Sequence, residues 1–486
     1  MPIGESITRG ALALLSTQPL TWGASLLSTI VLPRMLGADA LGQFTIASTI
    51  VAMAVTATSL GNSDYLVRRF AQQADMLRRD LAVGLLLQVI SMVCGVIIVV
   101  LLAGWGKFPL ADPRLLYLAL LGMLVAPAQS ALLASFRGRE LHTHYAWFNA
   151  IAAVAGQLLG VGSLFMGGDV LAYSATVGVS GIAMTLVGWK LANLRLSLPR
   201  FDRALLHSFR EQLSGGIPFW TWSLTLTLTS GIDRVLLGAF VPTVEVGWYA
   251  AAYRIFSIPV FIPTLIVTPL FPALSRSIHE PEAIKRTVTR TLRVVLLMMV
   301  PLCAGTIVVA PAIPSLLGWT ADFDNAVPLM SLLSLQLPLV AVDMVLGVVL
   351  MVVGRQRAWA IVGLSTAILK VGTNLAAIPA FESLVGSGAI GASIVTLLTE
   401  VVMLVCALIL IPKNLLDLRT AWDAVRITIA GAATVSVGVL LMPFALWLAI
   451  IGGAVTYAVI AILLRVLRSE DVLILTSRLR SPRGRV

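Results

Sequence analysis

"IDRVLLGAFVPTVEVGWYAAAYRI" (232–255) has an earlier echo in "LPRMLGADALGQFTIASTI" (32–50). Each runs through an arginine, hydrophobic residues, Leu-Gly, a short break, a second glycine, an aromatic residue and an apolar stretch. Arg34 stands opposite Arg234, Gly42 opposite Gly247 and Phe44 opposite Tyr249. A second echo joins "ASFRGRE" (134–140) to "MVVGRQR" (351–357), with Gly138 opposite Gly354. The offsets, 200 to 216 residues, lay one half of the chain over the other.

What repeats is apolar. Of the 486 residues, 58% are hydrophobic and only 12% charged, and the mean hydropathy is +0.96. Soluble domains carry about a quarter charged residues. Many apolar runs reach the roughly 20 residues that cross a hydrocarbon core of about 30 Å. Fourteen spans are expected, at 10–33, 40–61, 81–104, 114–135, 144–166, 170–192, 216–239, 245–272, 292–317, 325–353, 357–380, 386–411, 425–442 and 444–466. The last two are separated by reading "LLMPFALW" (440–447) as a tight turn. Thr225, Thr227 and Thr229 alternate like a strand, yet an open strand leaves backbone groups unpaired in lipid, so span 7 is read as helix. The fold class is all-α, polytopic.

The repeat lays spans 1–6 over spans 7–12. Six spans per repeat give both halves one orientation, the arrangement of transporters whose halves are related by an axis along the membrane normal, with the substrate between them near the midplane. The expected organisation is an N-terminal lobe (1–193), a cytoplasmic amphipathic linker (194–215), a C-terminal lobe (216–411), two added spans (412–466) and a basic tail (467–486). The linker places Leu198, Phe201, Leu205, Phe209 and Leu213 at helical spacing beside basic residues, as an interfacial helix does.

With the N-terminus inside, 28 of the 34 Lys and Arg fall in inner connections and tails, while the outer ones hold only Arg34, Lys107, Arg114 and Arg234. That is the positive-inside pattern and places both termini in the cytoplasm. The net charge of +11 thus reflects topology and contact with anionic lipid rather than nucleic-acid binding. The N-terminus lacks a small-residue cleavage site, so the first run reads as a retained span. Cys94, Cys303 and Cys406 lie in apolar runs without CxxC spacing, and His142 and His144 have no accompanying carboxylate cluster, so no metal is expected. No GxxxxGK[ST] occurs, and no cofactor is implied.

The stretch at 232–255, "LMVVGRQRAWAIVGLSTAILKVGTNLAAIPAF" (350–381) and "GSGAIGASIVTLLTE" (386–400) resemble second-lobe signatures of bacterial polysaccharide flippases. These belong to the multidrug/oligosaccharidyl-lipid/polysaccharide exporter superfamily. The resemblance covers about residues 5–411. It implies two six-helix lobes around a cavity that opens to each side in turn. It also implies a substrate of sugars on a polyprenyl diphosphate, moved from the inner to the outer leaflet of the cell membrane. A polysaccharide polymerase or glycosyltransferases are the implied partners. The lipid II flippase branch is similar in carrying fourteen spans. A drug/cation antiporter of the same superfamily is the alternative within transport, and would favour cavity carboxylates. A membrane glycosyltransferase or polymerase is the alternative from another class, and the short outer connections give it no catalytic segment.

Charges inside spans mark functional candidates. Arg254 sits about nine residues into span 8, roughly 13 Å from its outer end, where the repeat has Thr49. It reads either as an electrostatic partner for a diphosphate, which suits the forked guanidinium, or as a side chain snorkelling or paired with an acid. Lys370, Asp343 and Glu400 share one depth in spans 11, 10 and 12 within roughly 5 Å. They read as a buried ion cluster or as a proton or sodium coupling site. Arg34 and Arg234 are interface anchors or outward-mouth contacts for substrate. Gln18, Thr21, Ser25 and Ser28 form one polar stripe on span 1, facing a cavity or another helix; in the flippase pattern span 1 lines the cavity, which implies sugar contact. Pro259, Pro263, Pro269 and Pro272 crowd span 8 and favour bends.

Overall fold

The computed structural model describes residues 3–72, 77–104, 112–192, 203–277, 280–412 and 414–466. They form α1 (Ile3–Ser59), α2 (Asn62–Gln72), α3 (Leu77–Gly104), α4 (Pro113–Gly138), α5 (His142–Phe165), α6 (Val170–Ala192), α7 (Arg203–Phe240) and α8 (Thr243–Arg276). Then come α9 (Pro281–Val309), α10 (Ile313–Leu317), α11 (Val327–Ser334), α12 (Gln336–Val352), α13 (Gln356–Val385), α14 (Gly388–Leu410), α15 (Leu418–Leu441) and α16 (Leu446–Leu463). There is no strand among the described residues.

Among the described residues, twelve stretches are long and apolar enough to cross a membrane. The first, Ser16–Ser59, holds two spans, because Gly37 leaves helical geometry at φ 74°, ψ 176°. The connection expected between spans 1 and 2 is therefore a one-residue break, in a conformation that a side chain would strain. α7 is not among the twelve, since hydroxyl and tryptophan side chains dilute its hydropathy. It is nonetheless 38 residues of continuous helix. Thr225 Oγ1 donates to the Thr221 carbonyl at 2.8 Å and Thr229 Oγ1 to the Thr225 carbonyl at 2.8 Å, so the threonines turn their hydroxyls onto the preceding turn. Two spans in α1, one in α7 and the eleven other stretches make the fourteen expected. The molecule is an all-helical, multi-pass membrane protein.

Two readings change. The linker helix expected over 194–215 has residues 193–202 outside the described residues, and from Arg203 it is continuous with α7 rather than a separate element. The basic tail at 467–486 lies outside the described residues. The second echo also shifts register. Leu141 N–H bonds the Phe136 carbonyl and Arg355 N–H bonds the Leu350 carbonyl, two equivalent helix stops. The left-handed residue is Glu140 (φ 59°) in one and Gly354 (φ 79°) in the other. Gly354 thus corresponds to Glu140, two positions beyond Gly138, where the shared Gly-Arg pair had drawn it.

Contacts divide the chain into two compact units. The first is 1–251, 318–322 and 374–389; the second is 252–317, 323–373 and 390–486. These are not the two halves of the repeat: α7 and the start of α8 belong to the first unit. There α1 packs on α3, α4, α5 and α7, and α4 packs on α2 and α6. At the helix ends of that unit, Arg69 bonds Asp80 at 2.5 Å and also bonds Glu211, and Arg137 meets Asp64 at 3.0 Å. Burial lowers the Arg69 pKa, but hydrogen bonds to Glu211, Tyr65 and Asp80 outweigh it and hold the guanidinium above its ordinary value. In the second unit α9 is the central post, packed on α11, α12, α15 and α16. Its core joins Val288, Leu292, Val295 and Met299 to Ala341, Val345 and Leu346 of α12, with Trp359 and Ala407.

The first echo is a physical crossing within the first unit. A Cβ added to Gly42 would fall 1.9 Å from the Thr243 carbonyl oxygen, and one added to Gly247 would fall 1.9 Å from the Ala38 carbonyl oxygen. Position 38 is to 42 as 243 is to 247, so the contact is reciprocal. Two helices approach backbone to backbone at repeat-related glycines, which only residues without a Cβ permit.

Candidate functional site

α12, α13 and α14 bring Asp343, Lys370 and Glu400 together in the second unit. Asp343 and Lys370 are each only 3% exposed. The Glu400 carboxyl lies within electrostatic reach of the Lys370 ammonium and faces Asp343. Both Asp343 oxygens are buried and close no hydrogen bond. Val345 and Leu346, two and three residues further along α12, belong to the apolar core, so the surroundings offer little to solvate a charge. The equal depth counted along the three spans thus becomes a spatial cluster with two carboxyls for one ammonium.

Arg254 is half-buried on α8, and Ser257, three residues further along, is exposed and donates its hydroxyl to the Arg254 carbonyl at 2.8 Å. α8 stays helical through Pro259, Pro263, Pro269 and Pro272. Arg34 is exposed at the end of span 1, with its guanidinium over Gly318, the left-handed residue (φ 65°) of the turn after α10. In the same turn Trp319 Nε1 donates to the Ile30 carbonyl at 3.1 Å. Arg234 is half-buried on α7.

The polar stripe of span 1 divides. Ser28 is buried and donates to Gln157 Oε1 of α5 at 3.0 Å, which is helix packing. Ser25 is exposed, while Gln18 and Thr21 are half-buried, with the Thr21 hydroxyl on the Gln18 carbonyl at 2.9 Å. Any sugar contact therefore falls to the lower three residues.

A second buried polar cluster was not visible in the sequence. Asp233 is 1% exposed and accepts from Asn374 Nδ2 at 2.9 Å and from the Tyr249 hydroxyl at 3.1 Å. It joins α7, α8 and α13 within the first unit, and Asn374 Oδ1 is left without a hydrogen-bond partner. The available signal was an aspartate beside Arg234 and an asparagine one helical turn from Lys370. Near by in sequence, Glu245 accepts from Ser387 Oγ at 2.9 Å and Ala389 N–H at 3.3 Å, while Glu382 accepts from Gly388 N–H at 2.8 Å. Both carboxyls satisfy the open amides that begin α14.

The polysaccharide biosynthesis protein family matches residues 7–278, more than half of the chain, and the MatE family matches residues 218–375. A probable flippase of Haloferax volcanii, AglR, is 26% identical over 298 residues, and that match spans 60% of each protein. Among solved structures, the lipid II flippase MurJ in an inward closed conformation superposes with a TM-score of 0.76 at 12% identity, over 93% of this chain and 99% of its own. An inward-facing multidrug resistance MATE transporter of the MOP superfamily gives 0.61 at 15% identity, over 82% and 97%. At such identities these likenesses establish the fold that the chain shares with them.

Proposed function

The chain belongs to the polysaccharide biosynthesis protein family, and from that premise we propose that it is a flippase for lipid-linked oligosaccharide. It carries the glycan on its polyprenyl diphosphate from the inner to the outer leaflet of the cell membrane by alternating access, with both termini in the cytoplasm. Glycosyltransferases supply the substrate and a polymerase consumes the product. The protein makes and breaks no covalent bond. The observation that carries this reading is the placing of permanent positive charge within the spans, Arg254 above all, on a fold shared with flippases.

A diphosphate requires a cation that stays charged in a poorly solvating cavity. Arginine meets this need, with paired N–H groups matched to phosphate oxygens. Arg254 takes the diphosphate, Lys370, Arg34 and Arg234 assist along the path, and Gln18, Thr21 and Ser25 meet sugar hydroxyls. Asp343 faces Glu400, which lies within reach of one ammonium, so the cluster balances only when a proton or small cation joins it. An uncompensated charge there is costly. Loading and unloading that proton or cation couples the ion gradient to the carrier.

The test is reconstitution of the purified chain in vesicles containing radiolabelled polyprenyl-diphosphate-linked oligosaccharide, with outward exposure of the sugar followed by an impermeant reagent. Sugar exposure at a rate well above protein-free vesicles is expected. Exposure no faster than in protein-free vesicles, with uptake of organic cations instead, would replace this reading by the antiporter.

A further inference from the structure

A cavity of about 620 Å³, lined by Arg419, Trp422, Val425, Arg426 and Ile429 of α15 and by Leu464 just after α16, has no part in the transport reading. Positions 419, 422, 426 and 429 recur at helical spacing and all four are exposed, so they form one outward stripe of the helix. On a spanning helix such a stripe meets lipid. A tryptophan between two arginines at the helix start marks the headgroup level, and the apolar Ile429 continues inward from it.

The charge of the cavity is positive. Its one acid among the described residues, Asp423, pairs with Arg293 of α9 at 3.1 Å, with both side chains about nine-tenths buried. Arg426 approaches Asp423 only at 3.9 Å, from the exposed rim. Asp417 caps the start of α15 and pairs with Lys285 at 3.8 Å. Both acids near this end of α15 thus have a partner on α9, and Arg419 and Arg426, although close enough to act on Asp417 and Asp423, remain exposed. Among the described residues the lining contains no Ser, Thr, Asn or Gln.

We propose that this cavity seats the phosphodiester headgroup of an anionic phospholipid resident in the bilayer. Arg419 and Arg426 hold the phosphate, Trp422 lies at the glycerol-ester level, and Val425, Ile429 and Leu464 meet the first acyl methylenes. The lipid braces the start of α15 where it is already pinned to α9. A resident lipid is favoured over the transported one because the stripe is exposed on a spanning helix and its described lining carries cations and apolar groups rather than amide or hydroxyl side chains.

The experiment measures binding of spin-labelled phosphatidylglycerol and phosphatidylcholine to the full chain in nanodiscs. Two basic side chains at an anionic surface contribute about five-fold each, so R419Q/R426Q is expected to weaken phosphatidylglycerol about 25-fold and R419Q alone about five-fold. Phosphatidylcholine is expected to bind weakly to all three proteins. Because both side chains are exposed, the unfolding temperature without added lipid should stay near that of the parent chain, which separates loss of binding from loss of fold. The proposal is overturned if the double variant binds phosphatidylglycerol within two-fold of the parent, or if phosphatidylcholine binds the parent equally well. Polyprenyl phosphate displacing phosphatidylglycerol at ten-fold lower concentration, in an arginine-dependent way, would also overturn it by assigning the cavity to the transported lipid.

Discussion

The glycine crossing of the first unit and the charged cluster of the second answer opposite requirements. At Gly42 and Gly247 the two halves of the repeat present the same residue, and each removes a side chain so that backbones can touch. At Asp343, Lys370 and Glu400 the second half carries three ionisable groups for which the first half has no counterpart. Arg254 likewise replaces Thr49, a buried residue whose hydroxyl merely returns to the Thr45 carbonyl at 2.7 Å. At this crossing what repeats builds the scaffold, and under the proposed function the principal contact with a charged substrate or ion falls to charges that break the repeat.

The strongest blow to this contrast is Lys370→Met, which leaves two facing carboxyls without a cation. Breaking a buried ion cluster on one side costs about 3–5 kcal/mol. Thermal unfolding in detergent should show that loss, and Lys370→Met/Glu400→Gln should recover most of it. A single variant as stable as the parent would mean the three groups are not coupled. Next comes Gly247→Val, whose new carbons must displace a carbonyl oxygen, at about 3 kcal/mol. Gly122 has nothing within 4 Å of its missing Cβ, so Gly122→Ala should be neutral or slightly stabilising. Equal effects from both would erase the meaning of the crossing.

Much of this was legible beforehand because hydrocarbon thickness imposes a length on each span and polar or glycine- and proline-bearing breaks separate one span from the next. Fourteen spans, the turn at 440–447 and the Gly42–Gly247 correspondence follow from such local signals. Pairings at long range do not. Nothing in "IDRV" says that Asp233 meets Asn374, 141 residues away, because one aspartate among many is chosen only by how α7, α8 and α13 cross. Ser28 looked like its neighbours on the stripe until α5 brought Gln157 against it. The Gly138–Gly354 register failed because a helix stop needs one left-handed residue, and Glu140 supplies it where Gly354 does in the other half.

Smaller changes sharpen the same comparison. Tyr249→Phe removes one donor from buried Asp233 and should cost about 1–2 kcal/mol in thermal unfolding, less than Lys370→Met because the Asn374 contact remains. Asp417→Ala removes the cap of α15 and should cost about 1 kcal/mol. Hydrogen bonds from the Thr420 hydroxyl and N–H hold the Asp417 carboxyl below its ordinary range. Its stabilisation is therefore present above about pH 4 and lost as pH falls through the depressed folded value. The gap between parent and variant should close in acid, and a gap that widens there would contradict the assignment.

The central claim is that departure from the repeat marks the substrate, and it is tested most directly by comparing Arg254→Ala with Thr49→Ala in the vesicle flipping assay. Loss of one arginine–diphosphate contact in a poorly solvated site should slow sugar exposure at least about ten-fold, while Thr49→Ala should leave the rate within about two-fold. Equal rates for Arg254→Ala and the parent chain, both properly folded, would contradict it.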